Sequence, residues 1–472
     1  MPDFDSGFED EELTEFPEEE IEKSIRECRE IVESGSVYGY LDRIEEVIQL
    51  CIDNEYNEDG LFLVNGLLEI SPYNSEHWVR KGILLNSLFR FEEALDSYNK
   101  ALSMNPGDPD ALIDRSVTEE NMGMFKQAEE SLHQVLESEP NNQDALYSIG
   151  ILNQRQEKFE EAIRYFNQVL SIDSSYSEAY YELGFCYENL QNYPEALQSY
   201  DKFLDLDPYN PNGWYNRAIV LSKMLKNELA LNSYDLAISL KEDFASAWFN
   251  KGNLLADLGR ITEALDCFKK AHSFDKQDEA ACYNIGNLYE ELGDLVQAVK
   301  FYSEALKIND EYYECYLARG YCYDAQGKFK HALKDFNKAI SLSQDNADAW
   351  YAKADLEYSL GRLKQSAESY RSALAIQPDN YDIWFTLAET CQELGDWLGA
   401  LEAFNQCINL KEDNAKAVYG KAKVNFILSR TEEAIECLRT AFKLDPGIHD
   451  DFAKEYPEIK SSKLFKKLLG EN

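Results

Sequence analysis

The chain has 472 residues, with 88 Asp and Glu against 46 Lys and Arg and a formal net charge of −42. An acidic excess of this size argues against nucleic acid and anionic membranes as partners, since both need a basic face, and it favours basic ones. No stretch reaches the roughly 18 apolar residues of a membrane span, and no basic segment precedes an apolar core, so neither a span nor a secretory signal is expected.

Residues 1–20 carry ten carboxylates and no Lys or Arg, which predicts a disordered, solvating tail. Residues 21–74 predict a helix and then, from Leu41 to Asn74, a degenerate helix pair. That pair keeps Pro72 and the apolar spacing of the segments after it, but it has Gly60 and Val64 where they carry Ala and an aromatic. Terminal repeats are often atypical because one face meets solvent.

From Ser75 to Ile448 a motif recurs every 34 residues without an insertion or deletion. Starts at Ser75, Pro109, Gln143, Ser177, Pro211, Ala245, Glu279, Tyr313, Ala347, Tyr381 and Ala415 put eleven repeats in register. Such a period predicts an all-α solenoid, one elongated array over residues 75–448 with no separate globular domain. The eighth position is small, as in Gly82, Gly150 and Gly286, and so is the twentieth, as in Ala94, Ala162 and Ala298. The twenty-fourth is large, as in Tyr98, Phe166 and Tyr302. Large knobs beside small holes let paired helices pack closely. Gly at the fifteenth position in six repeats predicts a left-handed cap that ends the first helix. Pro at the thirty-second, in Pro106, Pro140, Pro208, Pro378 and Pro446, closes the second. Val135, Val169, Phe203 and Cys407 replace Ala at the twenty-seventh position, so those helices are expected to pack slightly further apart. Residues 449–472 predict a capping helix, in which Leu464, Phe465, Leu468 and Leu469 cover the last repeat.

The repeat resembles the tetratricopeptide repeat (TPR) pattern, W-x2-L-G-x2-Y followed by A-x3-F and then A and P; the stretch Ala247 to Ala271 matches it closely. The resemblance implies a right-handed superhelix of about eleven to twelve repeats that binds other proteins and is not an enzyme. Consistent with this, the five histidines lie far apart, and no nucleophile, phosphate-loop or dinucleotide motif is present, so no catalytic residue and no cofactor is expected. The ten cysteines form no C-x-x-C pair and read as buried, reduced thiols in a cytoplasmic setting. Cys267, His272 and Cys282 come nearest to a metal-ligand set, but Cys267 and His272 do not share a helix face, so no metal is expected.

The resemblance also implies that first helices line a concave groove with positions two, five, six, nine, twelve and thirteen. Position five is mostly aromatic and includes Tyr181, Tyr215, Phe249 and Tyr283; it suits either apolar ligand groups or packing between neighbouring helices. Position six holds Asn216, Asn250 and Asn284, and position nine holds Asn253 and Asn287. Regularly spaced amides can pair with the main chain of an extended peptide, which resembles the asparagine ladder of O-GlcNAc transferase; Asn is also common there in TPR repeats without a ligand. The carboxylate clamp with which some TPR domains hold acidic chaperone tails is not matched, because no repeat has Lys at position five.

Acids enter the same surface, among them Asp114 and Glu182 at position six, Asp355 and Glu389 at nine, and Glu120, Glu188, Glu290 and Asp324 at twelve. Acids at position two, such as Glu314 and Asp348, are explained by the helix dipole, whereas those at mid-helix are not. The expected function is a scaffold that holds an extended, basic protein or peptide segment. The alternatives are self-association into homo-oligomers, with the acidic tail docked on Lys460, Lys463, Lys466 and Lys467 of a second copy, or a regulatory subunit of a separate enzyme.

Overall fold

The computed structural model describes residues 18–457. Residues 1–17 of the acidic tail, the apolar set Leu464, Phe465, Leu468 and Leu469, and the lysines 460, 463, 466 and 467 lie outside the described residues. The chain divides into two compact units, residues 1–242 and 243–472. Among the described residues every regular element is helical, and no helix is long and apolar enough to cross a membrane.

The first unit opens with the helix Glu18–Glu33, then the pair Leu41–Asp53 and Asn57–Ile70. Five helix pairs follow, whose first members start at Ser75, Pro109, Gln143, Ser177 and Pro211. The second unit contains six pairs, starting at Ala245, Glu279, Tyr313, Ala347, Tyr381 and Ala415, and the closing helix Gly447–Glu455. All eleven starts of the 34-residue count are therefore helix N-termini. The reason is local: the residue before them is Asn or Asp in eight cases, and its side chain accepts backbone N–H groups of the first turn.

The end of each first helix is set by backbone shape. Gly123, Gly259, Gly293, Gly327, Gly361 and Gly395 have φ between 71° and 81°. The same position is also left-handed in the repeats without glycine, at Phe89, Glu157, Gln191, Leu225 and Ser429, where φ is 58° or 59°. The turn is thus a property of the repeat, and glycine only makes it easier.

Packing follows the small and large positions. Tyr98, Phe166, Tyr200, Phe268, Tyr302, Phe336, Tyr370 and Phe404 are fully buried, and the alanines at position twenty have no exposed surface. The fit is tight: a Cβ placed on Gly150 would lie 2.4 Å from the Phe166 ring. Between repeats, Trp78, Trp214 and Trp384 donate their indole N–H groups to the carbonyls of Pro72, Pro208 and Pro378 at 2.8–2.9 Å. The bulk of Phe203 is absorbed rather than spread: the next helix carries Gly213 where most repeats have Ala, and a Cβ there would lie 2.5 Å from the Phe203 ring.

At the C-terminal end, Pro446 is the residue before the helix Gly447–Glu455. Ile448 and Phe452 of that helix are buried with Val418, Tyr419, Leu438 and Ala441 of the last repeat. The last repeat is therefore covered within the described residues. No disulfide joins any of the ten cysteines, and nine of them are buried.

Candidate functional site

The inner positions of three successive first helices meet around a cavity of about 670 Å³ in the second unit. The helix Glu279–Glu291 contributes Tyr283, Asn287, Glu290 and Glu291; Tyr313–Ala325 contributes Glu314, Leu317, Ala318 and Tyr321; Ala347–Ser359 contributes Asp348. Four of its lining side chains are carboxylates and none is Lys, Arg or His. Glu314 and Asp348 stand at position two, so an acid that serves the helix dipole also faces this cavity.

The asparagines of positions six and nine are all half-buried, and Asn216, Asn253 and Asn284 bond between repeats. In the first unit Asn216 Nδ2 donates to Tyr181 Oη at 2.8 Å. In the second, Asn284 Nδ2 donates to Asn253 Oδ1 at 3.2 Å, and the side-chain amide of Asn287 lies 2.7 Å from Oη of Tyr302 in its own repeat. Asn250 is on the first helix of the Ala245 repeat, half-buried like the others. An amide has two donors and one oxygen with two lone pairs, so one bond to a neighbour leaves further capacity at Asn216 and Asn284. The aromatics at position five pack on the large residues at twenty-four. Ring centroids are 5.9 Å apart for Tyr181 and Tyr200, 6.2 Å for Tyr215 and Tyr234, 5.4 Å for Phe249 and Phe268, and 5.8 Å for Tyr283 and Tyr302. They build the wall as well as line it.

Several of the mid-helix acids have structural partners that the spacing did not reveal. Glu290 accepts from Tyr302 Oη at 2.7 Å, and Asp355 accepts a short hydrogen bond from Tyr370 Oη. Glu182 accepts from Gln154 Nε2 at 2.6 Å, and Glu120 lies 2.9 Å from Arg155 Nε. The buried tyrosine at position twenty-four thus holds an acid of its own repeat in place. Burial raises the carboxyls of Glu182, Glu188 and Asp324 above the ordinary range. Asp114 goes furthest: burial, with Asp110 and Asp108 nearby, pushes it up to about 7.

Glu389 has a different setting. It lines a second cavity, of about 360 Å³, together with Lys416, Lys423 and Lys454. Tyr419 donates to Glu455 of the closing helix at 2.8 Å, and Lys423 lies 3.5 Å from the same carboxylate. The charge here is mixed, so the acidic character of the first-helix face does not extend unbroken to the last repeat.

The fold gathers a set of possible ligands that differs from the one the spacing suggested, with Glu304 in place of Cys267. His272 and Cys282 meet across the turn between two repeats, with Nδ1 and Nε2 at 3.4 and 3.8 Å from Sγ. Glu304, from the next helix, completes a trio whose donor atoms all lie within 4.8 Å of one another. Sequence spacing missed it because the third member is more than twenty residues away.

Sequence profiles of tetratricopeptide repeats match residues 151–211 and 317–381, 245–278 and 280–312, and 381–414 and 415–448. The profile of the cytochrome c-type biogenesis protein H TPR domain matches residues 65–180. No curated protein matches the chain. Among solved structures, a crystal structure of MamA is 26% identical over 34% of this chain and 95% of its own, with a TM-score of 0.34. YrrB, described as a TPR protein with an unusual peptide-binding site, is 24% identical over 41% of this chain and 97% of its own, with a TM-score of 0.36. PilF of Pseudomonas aeruginosa is 19% identical over 46% and 98%, with a TM-score of 0.40.

Proposed function

Since the chain belongs to the tetratricopeptide repeat family, whose members serve as protein-interaction scaffolds, we propose that it holds an extended, basic segment of a partner protein along its first helices and has no catalytic role of its own. The observation that carries the reading is the cavity lined by Glu290, Glu291, Glu314 and Asp348, with no Lys, Arg or His among its described lining residues. Four carboxylates around one opening attract Lys and Arg side chains and repel acidic competitors. Tyr283 and Tyr321 supply ring surface against which the stem or the charged head of such a side chain can lie. The remaining amide capacity of Asn216 in the first unit, and of Asn253 and Asn284 in the second, where Asn250 and Asn287 lie on the same helices, is suited to the peptide main chain, whatever its sequence. Ten cysteines with no disulfide among them support a reducing, cytoplasmic setting.

Affinity capture from the native lysate at low and moderate salt, with the intact protein beside an Asn216→Ala/Asn250→Ala/Asn284→Ala variant, tests the reading. A basic-segment partner that is lost with both salt and the variant, while helix content stays constant, is the expected result. A partner held equally by the variant would remove the asparagines from the site.

A further inference from the structure

The chain contains its own alignment, because eleven repeats show what each position ordinarily does. Position four, filled by Cys282 in the Glu279 repeat, is Trp, Tyr, Leu or Val in the other ten. Position twenty-eight, filled by His272 in the Ala245 repeat, is Leu, Ile or Phe in the other ten. Position twenty-six, filled by Glu304, is acidic in no other repeat and is Lys in four. Where the ordinary residues are present, positions four and twenty-six meet as a ring and a cation: Lys100 Nζ lies 4.4 Å from the Trp78 ring centroid. Here the ring is a thiol, the cation is a carboxylate, and an imidazole replaces the aliphatic neighbour. Three departures from the pattern fall on three positions that touch.

The geometry suits one chemistry. A tetrahedral zinc ion, with bonds of about 2.3 Å to sulfur and 2.0 Å to nitrogen, sets those two atoms about 3.5 Å apart. Cys282 Sγ lies 3.4 Å from His272 Nδ1 and 3.8 Å from Nε2, so the separation fits, and a turn of the imidazole about its Cβ–Cγ bond aims one ring nitrogen at the shared ion. Glu304 is half-buried on a long side chain, so its carboxylate can close the remaining distance by rotation. We propose that His272, Cys282 and Glu304 form a three-ligand site for a thiophilic divalent cation of the Zn²⁺ class, with water in the fourth position. Thiolate and imidazole select such an ion over Mg²⁺ or Ca²⁺. On binding, the Cys282 S–H bond is replaced by a sulfur–metal bond and the proton passes to solvent. The ion links the helix Ile261–Phe274 to both helices of the following repeat, Glu279–Glu291 and Leu295–Ile308, and so fastens one repeat to the next. Because it binds the folded chain, it raises stability by mass action.

The test uses the full-length protein, stripped with a chelator and titrated with Co²⁺. One equivalent should give a thiolate-to-cobalt charge-transfer band that Zn²⁺ abolishes by displacement, and Zn²⁺ should raise the melting temperature. His272→Leu and Glu304→Lys install residues that this repeat uses elsewhere, so both variants keep the packing while removing a ligand. Each should lose the band and the Zn²⁺-dependent rise in melting temperature, as should Cys282→Ala. Absence of the band in the unsubstituted protein would overturn the site, and so would a band that survives His272→Leu or Cys282→Ala, since the metal would then sit on other thiols.

Discussion

Asp114→Asn isolates the cost of holding a carboxyl in the wall of a first helix. Asp114 is half-buried, and its carboxylate has no hydrogen bond or ion pair among the described residues. Its nearest charged neighbours, Asp110 and Asp108, push it the same way as burial does. The carboxyl rises from 3.8 to about 7 on folding. Below 3.8 both states hold the proton and the group costs nothing. As pH rises from there, the unfolded chain releases its proton first, so stability falls until the folded state also ionises near pH 7, and it is flat above that. At about 1.4 kcal/mol per pH unit, the whole span amounts to at most about 4 kcal/mol, of which about 2–3 kcal/mol falls between roughly pH 5 and pH 7. Asn is the residue found at this position in the Pro211, Ala245 and Glu279 repeats, so the substitution removes the charge without changing the repeat's design. Denaturant titrations of both proteins across this range should give curves that converge at low pH and separate as it rises, with Asp114→Asn the more stable above pH 7. Parallel curves would refute the reasoning, because they would mean that the carboxyl is as well solvated in the folded chain as in the unfolded one.

Other substitutions probe the repeat itself. Leu225 is 82% exposed and left-handed, so Leu225→Gly removes strain without losing a core contact; thermal melting should show a gain of about 0.5–1 kcal/mol, and a loss would contradict the strain. Gly150→Ala drives a methyl into the Phe166 ring and should cost about 1–3 kcal/mol. Adding Phe166→Leu should recover part of it, as Leu132 does opposite Ser116, whereas strictly additive effects would rule out the steric clash. Asn142→Ala removes the acceptor for Ala145 N–H and should cost about 1 kcal/mol, with faster amide exchange in the first turn of Gln143–Arg155; unchanged exchange there would show that the cap is idle.

What could be read from the sequence is what every repeat does identically. Position fifteen must turn left-handed, position twenty-four must fill the space that positions eight and twenty leave, and the same demand recurs every 34 residues. Helix starts and the buried tyrosines and phenylalanines follow from that. What could not be read depends on two repeats together. The pairing of Asn284 with Asn253, or of Glu182 with Gln154, joins residues 31 and 28 apart, a separation that no helical period marks. The same holds for Lys416 and Lys423, which make the surroundings of Glu389 mixed in charge, and for Glu304, which joins His272 and Cys282 from a third helix. Discounting the acids at position two had a different cause. The helix dipole is a sufficient reason for Glu314 and Asp348, but a carboxylate can serve the dipole and line a cavity at once.

The most direct test of the acidic site is a titration of fluorescently labelled extended peptides, one rich in Lys and Arg and one with those residues replaced by Glu, into the full-length protein and into a Glu291→Gln/Glu314→Gln/Asp348→Asn variant. The basic peptide should bind the unsubstituted protein, weaken with added salt, and bind the variant less tightly, while the acidic peptide should bind neither. Equal binding of the two peptides, or a basic peptide indifferent to the three substitutions, would place recognition elsewhere on the chain.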